Sequence, residues 1–191
     1  KIEHPAVLNT CRHLEKKGFQ VTYLNVDKNE LIDLEQLSNS ISPSTILISV
    51  MFANNEIGTI QPIEMISKMA HQNHILFHTD AVQAIGNLRI DVKQLEIDAL
   101  SMSGHKFYAP KGVGALYIKE GVDFTKIQDG GHQENDKRAG TENVAEIVGL
   151  GKAIEEIYKR FEEYNSHLKK LRDYFINEIE RNIANAKLNG D

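Results

Sequence analysis

The chain has 191 residues, 41% of them hydrophobic and 26% charged, with a formal net charge of -5. That length suits one domain with a substantial core, and the composition is far from the low-hydrophobicity class that stays disordered. The acidic balance argues against a dedicated nucleic-acid surface, and the single cysteine, Cys11, excludes an internal disulfide and any zinc site built from several thiolates.

No apolar run approaches the roughly 20 residues of a membrane span, and the near-absence of cysteine makes the cytoplasm the expected compartment. A chain that opens on Lys1 and closes on Asn189-Gly190-Asp191 reads as a piece of a longer protein.

His4-Pro5 followed by Val7, Leu8, Cys11 and Leu14 predicts a helix over roughly Pro5–Lys17, stopped by Gly18. Phe19–Leu24 reads as a short strand, and Asp33–Ile41 as an amphipathic stretch. Thr45–Met51 is apolar and β-branched, as expected of a strand covered on both faces. Pro62–Gln72 reads as helix, and His74–Thr79, Asp98–Met102 and Val113–Ile118 as strands. Strands alternating with helices imply an α/β fold with a mainly parallel sheet flanked by helices; the last two strands, close in sequence, could form an antiparallel pair. From Glu142 to about Ala184 the pattern is helical, with a break expected near Tyr164-Asn165-Ser166.

In open α/β sheets ligands bind beyond the carboxyl ends of the strands. Four polar segments fall there: Ala53–Gly58, His78–Gln83, Ser101–Lys106 and Arg138–Thr141. Lys106, expected half-buried in its Ser-Gly-His-Lys setting, would lose charge by desolvation and become a nucleophilic amine. Asp80 follows an apolar strand directly, where a carboxylate needs a cationic or hydrogen-bonding partner; a protonated pyridine nitrogen is one. A Schiff-base lysine with an aspartate on a pyridinium is the pair that pyridoxal phosphate (PLP) chemistry needs. His71, His74 and His78 span a helix end and a strand without a suitably spaced fourth ligand, so no metal site is expected. Gly130-Gly131 and Gly112-Val113-Gly114 lack a phosphate-loop pattern and read as turns.

Glu3–Leu8, Asn54–Gly58, His78–Gln83, Ser103–Gly112 and Gly140–Asn143 resemble, in order, the signature segments of the cysteine desulfurases, PLP enzymes of the class V aminotransferase type that feed iron-sulfur cluster and tRNA sulfur pathways. The resemblance covers essentially the whole chain. It implies the large domain of an aspartate-aminotransferase-like PLP-dependent transferase, with a PLP-binding domain over 1–160, incomplete at its N-terminus, and a helix over 161–191 leading to a C-terminal small domain.

By the same resemblance, Lys106 holds the cofactor as a Schiff base and moves a proton, and His4 stacks on the pyridine ring. Asp80 holds the ring nitrogen, Asn55 and Gln83 lie near the phenolic oxygen, and Ser103 and His105 bind phosphate. Thr141 matches a residue that reaches the partner subunit's phosphate, which implies a homodimer. The implied reaction takes sulfur from L-cysteine, leaving L-alanine and an enzyme persulfide for an iron-sulfur scaffold or other sulfur-acceptor protein. Cys11, on the apolar side of the first helix, does not match the nucleophilic cysteine. That cysteine and the substrate-binding arginine are expected downstream, and a Thr-containing phosphate loop upstream, so the chain alone is expected to be inactive. A selenocysteine lyase, an aminotransferase of the same fold or a non-catalytic docking module are the alternatives.

Overall fold

The computed structural model of the protein describes residues 2–188. In chain order the elements are α1 (Pro5–Lys16), α2 (Leu34–Ser40), β1 (Leu47–Ser49), α3 (Ile63–Gln72), β2 (Leu76–Asp80), β3 (Ala99–Ser103), a 3-10 turn (Gly104–Phe107), β4 (Gly114–Ile118), the short turn α4 (Gln133–Asp136), α5 (Val144–Lys159) and α6 (Phe161–Asn182). Helix α1 starts where Pro5 enters the first turn and the His4 ring accepts the Ala6 amide at 3.2 Å. Helix α2 starts at Asp33, whose carboxylate accepts the Glu35 and Gln36 amides.

The sheet has the order β1-β2-β3-β4; the first three strands are parallel and β4 is antiparallel to β3. Helix α3 makes the crossover from β1 to β2, whereas β3 returns to β4 through the 3-10 turn, too short a connection for a parallel partner. Side chains alternate. Ile48, Phe77 and Leu100 point into a core built with Ile63, Ile66 and Ala70 of α3 and with Leu150, Ala153, Ile154 and Ile157 of α5. Leu47, Leu76 and Leu116, one residue out of phase, are exposed. The cover expected on both faces of β1 is therefore present on one, because the described helices that enter this core pack on a single side. His78, Asp80, Ser101 and Ser103 share the less covered face by the same period of two.

Phe19–Leu24, expected as a strand, is not one of the strands of the four-stranded sheet among the described residues. The break in the C-terminal helical region falls at Arg160 rather than at Tyr164–Ser166. Phe161 is the cause. It is buried, its ring stacks on Tyr158 at 5.5 Å, and the Arg89 guanidinium lies 4.6 Å above it while pairing with Glu162. The chain turns where this aromatic anchors, and Asn165 then sits inside a regular helix with its side-chain amide donating to the Phe161 carbonyl.

Candidate active site

The carboxyl ends of β1, β2 and β3 lie side by side, with Ser49 opposite His78 and Asp80 opposite Ser101. Asp80 ends β2 and is 8% exposed. Its carboxylate accepts the Val82 amide at 3.0 Å, its carbonyl receives the Phe52 amide, and no cation of the described residues lies within ion-pairing distance. A buried carboxylate with one neutral donor is costly and calls for a cation.

His78, two residues earlier on the same face, bridges the three strands: Nδ1 lies 2.8 Å from Ser49 Oγ and Nε2 2.9 Å from Ser101 Oγ. Burial holds its imidazole below the usual histidine pKa, with the Asp80 charge opposing. The ring is thus kept neutral beside Asp80, with one nitrogen donating and the other accepting. It does not supply the missing cation.

Beyond β3, the 3-10 turn carries Ser103, His105 and Lys106 together, with Ser103 Oγ 2.9 Å from His105 Nδ1. The turn is tight because Gly104 has no side chain: a Cβ there would lie 3.0 Å from both the Val113 carbonyl oxygen and its Cγ1. Tyr108 closes the turn in the left-handed region at φ 66 and its hydroxyl contacts that of Tyr164. Lys106 is exposed rather than half-buried, since the turn carries it past the packed strands, and it makes no ion pair with a described residue. Desolvation of its amine is therefore not a property of this chain by itself.

Asn55 and Gln83 line one cleft of about 350 Å³ with Asn54 and Asn87. Asn54 shapes it: its side-chain oxygen accepts the Glu56 and Ile57 amides and its side-chain nitrogen donates to the Ile2 carbonyl. A larger groove, about 950 Å³, runs between the 3-10 turn, α5 and α6, and none of the residues chosen from the sequence lines it. Of the residues chosen from the sequence, the smaller cleft takes Asn55 and Gln83, while Asp80, Ser103, His105 and Lys106 lie outside its lining. His4 is exposed at the head of α1. Thr141 is also exposed, just after Gly140, and shares no hydrogen bond with Asp80, Ser103, His105 or Lys106.

Cys11 is half-buried in α1, and its thiol is pushed above the usual range by burial first and by the charges of Glu3 and Glu15 next. Little reactive thiolate forms there. His71 pairs with Asp98 and His78 with the two serines; among the described residues no group of three or more His, Cys, Asp or Glu side chains is placed to hold a metal ion.

Two residues escape the sequence reading. Glu3 is half-buried, close enough to Asp80 to feel its charge, and His78 ties the strand ends. The signal for His78 is its spacing of two from Asp80, which puts both on one face; Glu3 has only its place before His4.

The aminotransferase class-V family model matches residues 1–190. The cysteine desulfurase IscS of Clostridium botulinum is 57% identical over 190 residues, all of this chain and 48% of that protein. Among solved structures, a NifS-like protein superposes with a TM-score of 0.92 at 42% identity, over 94% of this chain and 50% of that one. SspA in complex with cysteine superposes with a TM-score of 0.79 at 49% identity, over 81% of this chain and 45% of that one. The chain spans about half the length of the curated relatives it matches.

Proposed function

The chain belongs to the aminotransferase class-V family, and on that premise we propose that it forms the PLP-binding part of a cysteine desulfurase. The observation that carries this is Asp80, a carboxylate buried at the end of β2 with no cationic partner among the described residues, next to the strand whose continuation bears Lys106. A protonated ring nitrogen is the partner it lacks. The donor set fits the rest of PLP: a hydroxyl and an imidazole in contact at Ser103 and His105 suit a phosphate, and an unpaired primary amine at Lys106 suits an aldehyde.

When bound, PLP supplies an electron sink for the bonds at Cα of an amino acid. The residues do the remaining work. Asp80 would hold the proton on the ring nitrogen, and the neutral His78 beside it leaves that negative charge uncancelled. Lys106 would hold the cofactor through its amine and, once free, would move a proton to and from the substrate carbon. Asn55 and Gln83, which line one cleft, would offer their side-chain amides to the ring oxygen. The exposed His4 at the head of α1 would stack on the ring, and the exposed Thr141 would serve the phosphate bound by a second copy.

The overall reaction is transfer of the sulfur of L-cysteine to an enzyme thiolate, which leaves L-alanine and a persulfide. Cys11, whose thiol is disfavoured as thiolate, is not that acceptor. An iron-sulfur scaffold or another acceptor protein takes the sulfur onward. The test is the visible spectrum of the intact protein with PLP, beside Lys106→Ala. A band that borohydride abolishes, present in the wild type and lost in the variant, is the expected result; no band in either overturns the reading.

A further inference from the structure

The segment Ile2–His4 is held twice against the chain that follows β1. Glu3 Oε1 accepts the Met51 amide at 2.6 Å, and the Ile2 carbonyl accepts the Asn54 side-chain amide at 3.0 Å. Met51 and Phe52 are consecutive, and the Phe52 amide donates to the Asp80 carbonyl at 2.8 Å. One dipeptide therefore joins Glu3 on one side to Asp80 on the other. The second carboxyl oxygen of Glu3 is buried with no partner among the described residues.

Two ionised carboxylates cannot share such a place. Burial pushes the Glu3 carboxyl up to about 7; the Met51 amide opposes this and the Asp80 charge adds to it. At about 7 the Glu3 carboxyl is divided between acid and carboxylate near neutral pH, and its acid form takes the Met51 hydrogen bond on one oxygen and carries the proton on the other.

We infer that Glu3 is a positioning residue of the cofactor site: its carboxyl, bound to the Met51 amide through one oxygen and covered on the other, clamps the Ile2–His4 segment onto Met51, so that the His4 ring and the Asp80 carboxylate are held to serve the same cofactor ring. The inference rests on the PLP-binding reading above. It assigns Glu3 no contact with the reacting atoms. A neutral acid is mimicked by glutamine, which keeps an acceptor for Met51 and a donor in place of the acid proton, whereas aspartate keeps the charge chemistry but is one methylene too short.

In the intact protein, PLP affinity and the position of the visible band are measured for Glu3→Gln, Glu3→Asp and Glu3→Ala, with hydrogen exchange of the Met51 amide in the PLP-free protein as a second readout. Glu3→Gln is expected to match the wild type in all three. Glu3→Ala and Glu3→Asp are expected to lose about tenfold in affinity, shift the band and speed Met51 exchange. Wild-type affinity and band in Glu3→Ala, or Glu3→Gln as weak as Glu3→Ala, overturn the inference while the wild-type band keeps the PLP reading intact. If Glu3→Ala fails to fold, Glu3→Asp decides on the same criteria. A wild type without a band overturns both.

Discussion

His71 Nε2 lies 2.7 Å from Asp98 Oδ2, at the end of the sheet opposite the candidate site. The same carboxylate accepts the Phe77 amide at 2.9 Å and lies 3.3 Å from Lys119 Nζ, so one almost fully buried group ties α3, β2 and the end of β4 to the start of β3.

Burial works against the charge of Asp98, but the hydrogen bonds from His71 and Phe77 and the nearby Lys119 outweigh it and hold its carboxyl below the usual range. A carboxyl depressed on folding contributes stability that is present above its unfolded pKa, near 4, and is lost as pH falls through the folded value. Asp98→Ala should therefore cost about 3 kcal/mol at pH 7 by urea unfolding. The gap to wild type should narrow below about pH 4.

His78 gives a second test, in a higher pH window, on the other end of the sheet. Its imidazole is depressed by burial, with Asp80 opposing, so the folded state resists the proton that the unfolded chain takes up near pH 6.5. Its stability is present above that pH and is lost as pH falls below it. The stability of His78→Gln should decline less steeply than that of the wild type between pH 7 and pH 5, measured by denaturant unfolding at each pH.

The strands β1, β2 and β3 are legible in the sequence as apolar runs, but the one-sided cover of β1 is not, because Thr45–Met51 is apolar at successive positions and nothing local says that Leu47 stays exposed. Ser101–Lys106 is legible too as a polar segment after its strand, although the 3-10 form of Gly104–Phe107 is not. What escapes depends on distant neighbours. Phe19–Leu24 has the composition of a strand but is not one of the described strands of the sheet. The helix break is set by Phe161, which packs under Arg89 from some seventy residues earlier, and nothing near Arg160 announces it. Lys106 is named by its motif, yet its exposure depends on what packs over the turn. Glu3 becomes visible only when Met51 and Asp80 are brought against it.

Gly104→Ala tests the closeness of that turn. The added Cβ would meet the Val113 carbonyl oxygen at 3.0 Å and Ala109 Cβ at 3.1 Å, and neither is a flexible chain end. The turn must shift, at a cost of about 1–3 kcal/mol. Because Ser103, His105 and Lys106 ride on it, PLP affinity should fall together with the melting temperature. An unchanged affinity would show that the three residues do not depend on the turn's position.

The loop before Thr141 holds the clearest backbone strain. Glu134, Asn135 and Asp136 follow one another at φ 52, 54 and 65, in a left-handed region that costs residues with a Cβ roughly 1–2 kcal/mol each. Asp136 has a return for this: its carboxylate accepts Lys126 Nζ at 2.8 Å and lies 3.3 Å from His132 Nδ1, contacts that hold it below the usual carboxylate range. Glu134 is exposed and its side chain takes no such partner; its carbonyl accepts the Lys137 amide, a bond glycine would keep. Glycine removes the strain but adds freedom to the unfolded chain, so the net gain is smaller than the strain itself. Glu134→Gly should stabilise the protein by about 0.5–1 kcal/mol, read as a raised denaturation midpoint. Asp136→Gly should gain less than Glu134→Gly, or lose, because relief of the same strain is set against the Lys126 pair. A gain in Asp136→Gly equal to that in Glu134→Gly would mean that the ion pair holds nothing in this loop.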